Sequence, residues 1–121
     1  MLAASALAAA CGRAARSDPH VDFTWTLTPS ASRVGPSTLT ITLRNPDGRP
    51  LPHADVALEA HMSHPGMAPV LAKGAEQSPG VYEVPFAFTM QGDWALLVTA
   101  ALADGTRVER RIDVRNVRPS G

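Results

Sequence analysis

From position 21 onward, apolar and polar residues alternate with a period of two. Phe23, Trp25 and Leu27 interleave with Thr24, Thr26 and Thr28, and Leu39, Ile41 and Leu43 interleave with Thr38, Thr40 and Thr42. That period sends successive side chains to opposite sides of an extended backbone, so each run has one face to bury and one to leave in water. The pattern continues through Val56, Leu58, Ala60 and Met62, set against Ala57, Glu59 and His61. A shorter segment, Ala68 to Ala72, reads as an edge strand. Tyr82, Val84, Phe86, Phe88 and Met90 share one face of the next run, and Trp94, Leu96, Val98, Ala100 and Leu102 share a face of the one after it. Val108, Ile112 and Val114 complete the last. Residues suited to turns punctuate these runs: Asn45-Pro46-Asp47-Gly48, Pro65-Gly66, Ser78-Pro79-Gly80, Gly92-Asp93 and Asp104-Gly105. About seven short strands with no stretch of helical period predict an all-β fold, an immunoglobulin-like antiparallel β-sandwich. Pro85, which has no N–H for a ladder, predicts an edge or a bulge in its strand.

The 121 residues allow one domain. Residues 1–10 are apolar, and Ala8, Ala9 and Ala10 lead into Cys11 and Gly12. This resembles the end of a bacterial lipoprotein signal, although no basic residue opens the run and the run is short. A disordered Ala-rich leader is the other reading. On the lipoprotein reading Cys11 carries lipid and holds the domain on the extracytoplasmic side of a bacterial membrane. Ten residues are too few to cross a bilayer as a helix. The expected organisation is a signal over 1–11, a tether over 12–20, the sandwich over 21–115 and a tail over 116–121. Eleven basic residues balance eleven acidic ones, which gives no electrostatic case for nucleic acid as a partner.

The chemistry concentrates in His61-Met62-Ser63-His64-Pro65-Gly66-Met67, two imidazoles and two thioethers in seven residues. Thioether sulfur is soft and neutral and imidazole is borderline, a pairing that suits Cu(I) far better than cations that want carboxylates. Zinc more often recruits thiolates or a carboxylate, and the single cysteine stands at the signal-like boundary. Methionine also keeps its ligand character in an oxidising compartment, where thiols would cross-link. If the third strand keeps its alternation, Met62 continues the core-facing row and His64 follows it, while His61 turns outward beside Glu59. Met90, the last core-facing residue of its strand, would reach the same end, with Met67 returning over the group. The metal set is therefore Met62, His64, Met67 and Met90, with His61 as an additional or substitute ligand for copper. Two other readings stay open: Met and His as packing in a module that docks a membrane protein, and zinc held through His61 and His64. Catalysis is not expected, since no nucleophile elbow, phosphate loop or zinc-hydrolase motif occurs and thioethers supply no general base.

The order of these motifs resembles a known family. His61-Met62-x-His64-x-Gly66-Met67, then Pro69, then Pro79-Gly80-Val81-Tyr82, then Phe88-Thr89-Met90-x-Gly92-Asp93-Trp94, is similar to the YtkA-like or FixH-like domain over about residues 36–114. The resemblance implies a small β-sandwich outside the cytoplasmic membrane. It also implies a link to copper handling or to assembly of copper-containing respiratory oxidases, with an oxidase subunit or a copper transporter as partner. The membrane helix of FixH-type proteins is not found in this sequence.

Overall fold

The alternating runs become strands because one row of each must leave water, and two such sheets can bury their rows only against each other. Residues 20–120 are described in the computed structural model, and the signal-like run, Cys11 and residues 12–19 of the tether lie outside the described residues. Eight strands follow in chain order: β1 (Asp22–Thr28), β2 (Gly35–Arg44), β3 (Asp55–Met62), β4 (Val70–Lys73), β5 (Ala75–Ser78), β6 (Val81–Phe88), β7 (Gly92–Ala101) and β8 (Arg107–Val117). They form two four-stranded sheets, ordered β1-β2-β6-β5 and β4-β3-β7-β8, with every strand pair antiparallel. The fold is the all-β sandwich that the alternation predicts.

Leu39, Ile41 and Leu43 of β2 and Val84 of β6 are fully buried from one sheet, and Val56, Leu58, Ala60, Leu96 and Val98 from the other. Each large aliphatic side chain withdrawn in this way contributes about 1.5–3 kcal/mol relative to leaving it exposed. Phe86, Phe88 and Trp94 form an edge-to-face series at one end, with centroids 4.9 and 5.4 Å apart. At the other end Tyr82 fixes the irregular segment after β2. Its hydroxyl donates to the Leu51 carbonyl at 2.7 Å and accepts the Ala54 N–H at 2.9 Å.

Several local expectations change. β5 was not expected, because all four of its residues are exposed and show no alternation. β6 ends at Phe88, so Met90 is not the last core-facing residue of a strand. It lies in the turn to β7 and is 38% exposed. Trp25 alternates with the core row yet is 43% exposed, because β1 is an edge strand. Residues 116–118 are not part of a frayed tail. β8 continues to the buried Val117, and Arg118 exchanges backbone hydrogen bonds with Ser32 and Val34 at 3.1 and 2.9 Å. Pro85 falls beyond the reach of β5, whose pairing with β6 stops at Glu83, so no ladder donor is missed on that side.

Candidate functional site

β3 ends, and β7 begins, at one end of the sandwich, since the two pair from Asp55↔Ala101 to Met62↔Trp94. The turn from β6 to β7 and the segment from β3 to β4 therefore lie side by side. Ser63 N–H donates to the Asp93 carbonyl at 3.1 Å, and the Asp93 carboxylate accepts the Asn116 N–H at 2.8 Å. Asp93 thus fastens the start of the His/Met segment and the end of β8 to the same turn. Its only sequence signal was its place in the Gly92-Asp93 turn.

Met62 is half-buried and packs against the core from the inner face of β3. Its terminal methyl lies over Gly92, where an added Cβ would stand 2.8 Å away. Gly92 also has φ +126°, a conformation that side-chain-bearing residues rarely adopt. The glycine therefore permits both the turn and the approach of the thioether. His64 is exposed just past the strand and lines a shallow cleft with Gln91, Gly92, Asn116 and Val117. Two of the predicted ligands thus border the Gly92 turn from the β3 side, and Met90 belongs to that turn.

Met90 is held through its backbone, with the Trp94 indole N–H donating to its carbonyl at 2.9 Å. The residue itself is exposed, whereas Trp94 is buried. Met67 follows the Pro65-Gly66 turn and is 44% exposed. The strand does not reach His64, so this residue sits in the loop and not in the core-facing row. His61 is on the outer face of β3, where its Nε2 lies 3.0 Å from Glu59 Oε1, and it borders a cleft at the same end with Met62, Ser63 and Asp93. Period two separates it from Met62, and the two present their groups to opposite sides of the sheet. Among the described residues, no three His, Cys, Asp or Glu side chains come together in a way that could hold a metal ion. A metal at this end would rest on thioethers and one imidazole, a donor set suited to a soft ion.

Comparison with known proteins bears mainly on the fold. A DUF4426 family protein from Pseudomonas aeruginosa superposes with a TM-score of 0.63 at 11% identity, covering 88% of this chain and 97% of that one. Murine CRIg gives a TM-score of 0.46 at 14% identity over 83% of this chain and 99% of that chain. MtrC from Shewanella baltica gives 0.48 at 18% identity, with 84% of this chain matching 22% of that one. No curated protein matches the sequence. The YtkA-like family model matches residues 18–99, from before β1 into β7, and so includes His61, Met62, His64, Met67 and Met90. That match covers well over half of the chain, which therefore belongs to the YtkA-like family.

Proposed function

We propose that this domain carries copper, as Cu(I), on the extracytoplasmic side of a bacterial membrane. Met62, His64, Met67 and Met90 are the ligands, and copper is cargo passed on by ligand exchange. The reading rests on one observation: Met62 and His64 border the same turn that contains Met90, although β3 and that turn are far apart in sequence. Neutral soft donors at an exposed end can hold the ion against water and still yield it to an oxidase subunit or a copper transporter. His61 is assigned no ligand role, since it is engaged by Glu59 on the far face. Cys11 would anchor the domain through lipid, which keeps the carrier at the membrane where such recipients reside.

Anaerobic titration with Cu(I) against a competing chelator tests the proposal. One equivalent should be withheld from the chelator, and the Met62→Leu/Met67→Leu variant should lose that ability. The double substitution nearly conserves volume and should cost less than about 1.5 kcal/mol per site. Failure of the native chain to compete for Cu(I), or unchanged competition by the variant, would leave the methionines as packing around a docking surface.

A further inference from the structure

Among the described residues four strands end a sheet, and three of them carry features that discourage pairing with another chain. β4 and β5 are four residues each; β4 ends on Lys73, and β5 is bulged against β6. β8 places Arg107, Glu109, Arg110, Arg111, Asp113 and Arg115 along its length. β1 has none of these. Its seven residues pair with β2 in unbroken register, without proline, bulge or any charge after Asp22.

Among the described residues no strand pairs with the outer side of β1, and the groups on that side can be read from the hydrogen-bond phase. Alternate residues of an antiparallel strand turn their backbone groups to opposite sides. Leu43 N–H donates to the Gly80 carbonyl on the β6 side, so Leu39, Ile41 and Leu43 serve β6 while Thr38, Thr40 and Thr42 serve β1. Their partners Thr28, Thr26 and Thr24 are thereby satisfied. The backbone N–H and C=O groups of Phe23, Trp25 and Leu27 point to the open side. Val21, in the same phase, sends its carbonyl outward to Arg110 Nη2 at 3.3 Å.

An open cleft of about 700 Å³ lies between this edge and β8. Trp25, Leu27 and Val114 give it an apolar lining, and Arg33, Arg115 and Arg118 give it positive charge. Arg110 closes one end, where its guanidinium lies 5.7 Å from the Phe23 ring centroid, and the Arg118 backbone bonds to Ser32 and Val34 close the other. Asp113, the one carboxylate among the lining residues, is engaged by Arg111 at 2.9 Å. Among the described residues no carboxylate pairs with Arg33, Arg115 or Arg118.

We propose that β1 accepts an extended, acidic segment of a partner protein as a fifth strand. Its inward apolar side chains rest on Trp25 and Leu27, and its carboxylates meet the three arginines. Backbone pairing supplies the affinity and the charged cleft selects the sequence. A second copy of this chain is the poorer occupant, because it would bring three more unpaired arginines to the same seam. The proposal is independent of the copper reading.

The test uses a synthetic peptide of alternating valine and glutamate about ten residues long, followed by amide chemical shifts and Trp25 fluorescence. Saturable binding should shift the amides of Phe23, Trp25 and Leu27. Affinity should fall at least about tenfold when the peptide is N-methylated along one edge. The Arg33→Glu/Arg115→Glu variant should lose the acidic peptide and gain the matching valine–lysine peptide, which also shows that the variant is folded. Absence of saturable binding overturns the proposal. So does binding that survives N-methylation, which would make the cleft an anion site without strand addition, and so does self-association of the free chain through β1.

Discussion

Two buried hydroxyls in the same sheet have opposite consequences. Tyr82 Oη is fully used, donating to Leu51 and accepting from Ala54, so Tyr82→Phe strands a carbonyl and an N–H in a part-buried site. Leaving such groups unpaired costs about 1–3 kcal/mol, and chemical denaturation should register a loss of that size. Burial raises the Tyr82 phenol above its ordinary range; the Ala54 N–H opposes this and the Glu76 charge adds to it. The folded chain therefore holds this proton more tightly than the unfolded chain. The resulting stabilisation is complete below the ordinary tyrosine pKa of about 10 and is lost as pH rises through the higher folded value. Tyr82 is the one tyrosine, so tyrosinate absorbance reports this ionisation alone, and the alkaline loss of stability should be absent from Tyr82→Phe. Ser37 is the reverse case, a buried Oγ with no hydrogen-bond partner among the described residues. Ser37→Ala removes an unsatisfied group and should leave stability unchanged or raise it by up to about 1 kcal/mol. A clear loss of melting temperature in Ser37→Ala would show that the hydroxyl is satisfied in solution.

At the scale of elements, what could be read from sequence is what burial writes into side chains. β2, β3, β6 and β7 alternate because their inner faces meet across the core, and the separation of His61 from Met62 follows from the same period. β5 was invisible because its four residues are held by backbone pairing with β6 and bury nothing. Gly74 explains how it arises. Its N–H donates to the Val56 carbonyl at 2.8 Å, and a Cβ there would lie 3.1 Å from Val56 in one sheet and from Val84 in the other. A residue without a side chain lets the chain cross from β4 to β5 between the two layers. Trp25 misled in the other direction, since alternation reports which face a residue occupies but not whether a strand covers it. Val117 was hidden behind Asn116, whose φ of +62° breaks the periodic row just before the last buried side chain. The meeting of Met62 and His64 at Gly92 depends on β3 pairing with β7, a contact between distant parts of the chain that no local pattern records.

For the whole molecule, the candidate site and the proposed docking edge adjoin, since Asn116 and Arg118 line both the His64 cleft and the β1 cleft, but His61, Met62 and Met67 do not line the β1 cleft and can be substituted without removing any part of it. A ligand that binds only the folded chain stabilises it by mass action, and free Cu(I) held a hundredfold above its dissociation constant adds about 2.7 kcal/mol. In a domain of about 100 residues each kcal/mol moves the melting temperature by about 4–8 °C, so the rise should be on the order of 10–20 °C. Because Met62 packs on Gly92 while His61 bonds Glu59 on the opposite face, the same melting experiment assigns the ligands. His61→Ala should keep the full Cu(I) shift, and Met62→Leu/Met67→Leu should abolish it with little change in the metal-free melting temperature. Equal loss in His61→Ala, or a Zn(II) shift as large as that of Cu(I), would move the site to the imidazoles and replace soft-ligand carriage with a zinc-binding surface. Addition of the valine–glutamate peptide should raise the melting temperature in all of these variants alike, since none of the substituted residues borders β1.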